Sequence, residues 1–176
     1  NFFKKDAVDV AQKLLGKIIK KGKFKGIIVE TEAYKADPAS HAWKKTERSK
    51  IMFDSYGKVY VYLIYGMYHC LNFTTNENEP GAVLIRAIEP LEGINSMKKL
   101  RNTGDEKNLC SGPGKLCQAF KITKKHNNQN INDEIKIFDN DYNNFEIVKC
   151  SRVGIKKGTE LDWRFYIKDN KFVSRK

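Results

Sequence analysis

Short runs of β-branched and aromatic residues recur along this chain, and helix-period segments do not alternate with them in a regular way. That pattern excludes a parallel βαβ architecture and points to an α+β fold around a mainly antiparallel sheet. The strand-like runs are 26–31, 58–64, 68–74, 81–88, 134–138, 146–151 and 165–168. The second and third flank Tyr65-Gly66-Met67, a hairpin signal. The fourth is expected to end before Pro90. Three helices are expected. Asp6 can cap the first, over 6–15, and Ala7, Val10, Ala11, Leu14 and Leu15 form its apolar stripe. The others cover 93–100 and 113–120, the last with Pro near its start. Segments 35–49 and 124–132 are polar loops. No linker or repeat divides the chain, so residues 1–176 are expected to form a single domain.

The net charge is +12, from 33 Lys and Arg against 21 Asp and Glu. Such a surface attracts polyanions, nucleic acid first and anionic membrane second. The accompanying richness in Lys, Asn and Ile also fits an AT-rich genome. The four cysteines form no C-x-x-C pair and the three histidines are scattered, so spacing gives no zinc site. Three cysteines lie in apolar runs, as buried thiols of a reducing compartment do. No apolar run reaches the roughly 20 residues of a membrane helix. The chain begins at Asn1 without Met, and an N-terminal stretch is expected to precede it.

Four constellations could carry chemistry. Glu30 and Glu32 fall on one strand face, as a general base at a pocket rim would, or as a solvated edge or an arginine ion pair would. In the run from Val59 to Tyr68, Tyr60 and Tyr62 share a face that could stack bases or fill a core. Tyr65, at the hairpin tip, is harder to explain as core. Ser111-Gly112-Pro113-Gly114-Lys115 opens a helix and could hold a phosphate, or simply start the helix. Arg86, inside an apolar strand, needs a carboxylate partner.

Together these residues resemble one family. Glu30-Thr31-Glu32-Ala33-Tyr34, Asp37-Pro38-Ala39-Ser40-His41, the tyrosine run with Asn72, Leu84-Ile85-Arg86-Ala87-Ile88-Glu89-Pro90-Leu91-Glu92-Gly93, and Gly112-Pro113-Gly114-Lys115-Leu116-Cys117-Gln118-Ala119 are similar to motifs of the alkyladenine (3-methyladenine) DNA glycosylases. The similarity is dense over 28–93 and 110–120. It is weaker over 152–168, which includes Trp163-Arg164-Phe165-Tyr166-Ile167. The resemblance implies a single mixed domain on a curved antiparallel sheet flanked by helices, without a helix-hairpin-helix.

It also implies base-excision repair of alkylation damage. A cationic purine such as 3-methyladenine or 7-methylguanine is flipped from duplex DNA and its N-glycosidic bond hydrolysed, leaving an abasic site. Hypoxanthine, a neutral base that needs protonation, is a further candidate. By the resemblance, Glu32 activates the water and Arg86 helps to hold Glu32 and that water. Tyr34, His41 and Tyr62 sandwich the base, Tyr65 fills the gap in the duplex, and Asn72 tests for a guanine amino group. Thr46, Arg48, Met52, Met67, Tyr68 and Lys115 lie near the DNA backbone or groove. Ser49-Lys50 departs from the family, which often has Asn after the arginine. The expected partner is damaged double-stranded DNA, acted on by a monomer without cofactor or metal, in the bacterial cytoplasm or a nucleus. Two alternatives are a nucleic-acid-binding module without activity and a family member acting on RNA.

Overall fold

A computed structural model describes residues 2–175. It contains one curled eight-stranded sheet in which every pairing is antiparallel. The strands are β1 (Ile18–Lys21), β2 (Phe24–Tyr34), β3 (Val59–Ile64), β4 (Tyr68–Thr75), β5 (Gly81–Glu92), β6 (Ile135–Phe138), β7 (Ile147–Cys150) and β8 (Arg164–Ile167). Their order is β3-β4-β5-β2-β1-β6, with β8 joining β2 and β7 joining β8. The helices are α1 (Ala7–Leu14), α2 (Lys50–Asp54), α3 (Ile94–Arg101) and α4 (Pro113–Ala119). The α+β class read from the sequence is the one found.

Helix α1 forms for the reasons its sequence gives. The Asp6 carboxylate accepts from the Val8 N–H at 2.8 Å, and Ala7, Val10, Ala11 and Leu14 are fully buried. Thr31 of β2 donates its hydroxyl to the Ala11 carbonyl, which pins the helix across the sheet. Helices α3 and α4 pack beside each other, with Met97, Leu116, Cys117 and Ala119 buried in the core.

Three elements differ from expectation. Strand β1 has two lysines in four residues and no alternation to betray it; it forms because β2 and β6 flank it. Strand β2 extends on to Tyr34, so the whole Glu-Thr-Glu-Ala-Tyr motif is strand. Strand β5 runs through Pro90 to Glu92. Pro90 lies opposite Gly26, where the register shifts, and a missing N–H costs little at such an irregularity. A Cβ on Gly26 would meet Ile88 Cγ2 at 2.4 Å, so only glycine lets the two strands approach there. The polar segment 35–49 also contains a 3-10 turn, His41–Trp43, and α2 follows it directly.

Candidate active site

The paired carboxylates occupy the middle of β2, between β5 and β8, and both are completely buried. Irregular register on either side of Glu30 marks the place. Arg86, on β5, reaches both. Its Nε donates to Glu30 Oε1 at 3.0 Å, and its Nη1 lies 3.3 Å from Glu32 Oε1. Burial lowers the guanidinium pKa, but the two carboxylates outweigh it and the net shift is upward.

Glu30 is a hub. Its Oε1 also accepts from Arg164 Nε at 2.7 Å and from the Ser174 hydroxyl at 2.9 Å, and its Oε2 accepts from the Ser174 N–H at 2.6 Å. The Ser174 hydroxyl in turn accepts from Arg86 Nη2 at 3.3 Å. Three donors crowd Oε1 and the Ser174 N–H holds Oε2, so Glu30 ties β2 to β5, to β8 and to Ser174 and acts as structural cement.

Glu32 is held differently. Oε1 takes the Val153 N–H at 2.7 Å and faces Arg86, while among the described residues Oε2 takes only the Tyr34 hydroxyl, at 2.7 Å. A carboxylate oxygen has about two acceptor sites, so Oε2 keeps one free. Burial first, and then Glu32, raises the Tyr34 pKa, which keeps that hydroxyl a donor.

Two adjoining clefts open here, of about 480 and 330 Å³. Tyr34, Tyr62, Ile64, Tyr65, Val153 and Gly154 line both. Arg86, Cys70 and Lys115 line the larger, and His41, Arg48 and Asn72 the smaller. His41 and Tyr62 have ring centroids 4.7 Å apart, edge to face, and His41 Nδ1 lies 2.9 Å from the Tyr60 hydroxyl. Burial and then Arg48 lower the His41 pKa, so the imidazole is neutral at pH 7. Burial raises the pKa of Tyr60 and Tyr62 well above the usual range, and pushes Cys70 up to about 11.

The hairpin tip stands out from the surface. Tyr65 is 81% exposed and has φ of 53°, followed by Gly66 at 69°. Two successive left-handed residues make a tight turn that suits the twist of a hairpin. A tyrosine in that region is strained, and the strain presents its ring to solvent. Met67 and Tyr68 are exposed beside it, with Tyr68 lying against Gly114.

The remaining expected residues sit less simply. Met52, expected near DNA, is 2% exposed; it packs with Ala42, Tyr60 and Ala82 and lines the smaller cleft. Thr46 is exposed, and its hydroxyl lies 3.1 Å from that of the buried Ser49. Ser49, the departure from the family pattern, accepts from the Thr46 N–H and donates to the Lys44 carbonyl, so it braces this loop from inside. Asn72 lines the smaller cleft, but both of its amide hydrogens go to the backbone, to Tyr60 O at 3.2 Å and Cys70 O at 3.3 Å. Its Oδ1 accepts no hydrogen bond among the described residues. Lys115 brings an amine into the cleft lining, and Asn108 Oδ1 accepts from it.

Reasoning from sequence missed Val153, Arg164, Ser174 and the pair of Arg152 with Asp37. They come from late in the chain or from loops, where no periodicity marks them. All four cysteines are free thiols. Among the described residues, no cluster of His, Cys, Asp and Glu could hold a metal ion, and no helix is long and apolar enough to cross a membrane.

Comparison with known proteins agrees with this geometry. Residues 1–171 match the methylpurine-DNA glycosylase (MPG) family. A protein of Clostridium novyi named "Putative 3-methyladenine DNA glycosylase" is 47% identical over 195 residues, covering 99% of this chain and 96% of the relative. Proteins with the same name from Clostridium perfringens (strain 13 / Type A) and Clostridium tetani are 46% and 48% identical, covering 100% and 99% of this chain and 98% and 97% of theirs. A match that spans nearly the whole chain, with the paired carboxylates, the tyrosine cleft and the exposed hairpin tip in place, means that the chain belongs to the methylpurine-DNA glycosylase family.

Proposed function

We propose that the protein releases alkylated purines, such as 3-methyladenine and 7-methylguanine, from damaged duplex DNA by hydrolysis. The observation that carries this reading is Glu32: a fully buried carboxylate, fixed by Val153 and Tyr34, with one acceptor site free beside a tyrosine-lined cleft. Water held at Oε2 attacks C1′ of the deoxyribose and gives its proton to the carboxylate. The C1′–N9 bond breaks, and its electron pair goes to the cationic base, which leaves neutral. The leaving group is already activated, so no cofactor enters the step.

The flipped base lies among Tyr34, His41 and Tyr62. Tyrosine faces attract a cationic ring by about 0.5–2 kcal/mol per contact. Tyr65 enters the stack to replace the extruded base. The bulk of Asn72, whose amide hydrogens are committed to backbone carbonyls, faces the purine edge that carries the guanine amino group and leaves no room for it. Arg48, Met67, Tyr68 and Lys115 contribute to the DNA-facing surface of a net +12 protein.

Incubation with methylated duplex DNA, followed by chromatography of the supernatant, should show free 3-methyladenine and 7-methylguanine. Tight lesion binding with no base released would instead identify a binding module.

A further inference from the structure

Behind Tyr34 stands a cation that the reaction described above does not use. Arg152 follows β7 and is buried. Its guanidinium carbon lies 4.8 Å from the Tyr34 ring centroid and 5.1 Å from that of Trp163, so it is stacked between two aromatic rings. Nη1 donates to the Ala33 carbonyl at 3.2 Å and to Asp37 Oδ2 at 3.0 Å; Nη2 donates to Asp37 Oδ1 at 2.7 Å. Its Nε has no hydrogen-bond partner among the described residues. A planar fork held edge-on by a carboxylate, at the cost of one orphaned N–H, is aligned for its faces. Neither cleft is lined by Arg152, Asp37 or Trp163, whereas Tyr34 lines both. The guanidinium therefore stands outside the cleft, against the ring of a tyrosine that lines it.

A cation on one face of an aromatic ring draws electron density toward itself and weakens the attraction of the other face for a second cation. We propose that Arg152 is a specificity-determining residue that lowers the pocket's preference for cationic over neutral purines, acting through the Tyr34 ring. Asp37 offsets only part of this, because it meets the edge of the guanidinium while the ring meets its face. Arginine is suited to the place because it can stack and pair at once; lysine cannot. The inference rests on the reading that Tyr34 stacks on the flipped base.

Lesion affinity tests it. In a Glu32→Gln background, which holds the base without releasing it, binding is measured by fluorescence anisotropy to two duplexes. One contains 7-methylguanine. The other contains its neutral isostere, with carbon in place of N7. Arg152→Met removes the cation but leaves Asp37 unpaired. Arg152→Gln with Asp37→Asn removes both charges and keeps a hydrogen-bonded pair, so it decides the matter if the first variant fails to fold. Either change should raise the ratio of cationic to neutral affinity by about three- to tenfold. Tight binding of both lesions with an unchanged ratio in a folded variant overturns the role of Arg152 and leaves Tyr34 as a wall. If the parent binds neither lesion better than undamaged duplex, the stacking reading itself falls, and the role of Arg152 with it.

Discussion

Glu30 and Glu32 are two residues apart, equally buried and share one arginine, yet replacing each by glutamine should have opposite consequences. At Glu32 the amide fits. Its oxygen can take the place of Oε1 and keep the Val153 N–H and Arg86. Its NH2 then faces the Tyr34 hydroxyl, which can rotate and accept. Only the charge attraction of Arg86 is lost, and Arg86 still has Glu30 and Ser174. The expected destabilisation is about 1–2 kcal/mol, or about 2–8 °C for a chain of this size. Base release should fall by about 10²–10⁴, the usual contribution of a general base, while lesion binding persists.

At Glu30 the amide does not fit. With its oxygen toward Arg86, Arg164 and Ser174 Oγ, the NH2 meets the Ser174 backbone N–H, which cannot rotate to accept. Two guanidiniums also lose the charge between them. Breaking a buried ion pair from one side costs about 3–5 kcal/mol, so melting should drop by about 6–20 °C. What activity survives should follow the folded fraction. Single-turnover base release and thermal melting on both variants decide the matter. A Glu30→Gln protein that melts within about 2 °C of the parent would refute the hub, and a Glu32→Gln protein within tenfold of parental rate would remove Glu32 as the base.

Tyr65→Ala should slow release from duplex DNA far more than from single strands, where no stack needs replacing; equal losses would show that the hairpin tip does not enter the helix. Asn72→Ala should increase release of unmodified guanine and leave 3-methyladenine nearly unaffected, although losing bonds to Tyr60 O and Cys70 O also lowers the melting temperature; unchanged guanine release from folded protein removes Asn72 from selectivity. His41 gives a signed pH dependence. Its folded pKa lies below its usual 6.5, so the unfolded chain takes the proton first as pH falls. Stability should be complete above about pH 6.5 and drain away below it, less steeply in His41→Asn; identical acid limbs would contradict this. Treatment with borohydride during turnover should trap no protein–DNA adduct, even with Lys115 in the cleft lining; a stable adduct would mean an amine nucleophile.

What the sequence revealed depended on whether a residue's surroundings were local. Strands with alternation, the Asp6 cap, and the Tyr65-Gly66 turn are short-range features and were legible. Strand β1 was not, because its pattern is set by the neighbours that enclose it. Spacing placed Glu30 and Glu32 together but left open which was chemical, since that is decided by how many donors converge on each. Those donors, on Arg164, Ser174 and Val153, are over a hundred residues away. Family resemblance nominated Met52 as a DNA neighbour; its packing against Tyr60 in the lining of the smaller cleft could not be read from spacing. Ser49 differs from the family pattern by a smaller side chain, and the structure uses that hydroxyl to close a turn.

The distances along the chain that meet at Glu30 bear on how the protein acquires its native state. Its donors lie 56, 134 and 144 residues downstream. Closing loops of that length is entropically costly, and contacts so distant form late. Until they form, collapse of β2 into the core would bury two bare carboxylates, so the apolar interior cannot finish ahead of its charges. The slowest step of folding should therefore be the one that assembles the chemistry. An intermediate with a complete core and an open cleft has no favourable route to accumulate. Refolding followed by tryptophan or tyrosine fluorescence and refolding followed by recovered lesion binding should then run at the same rate.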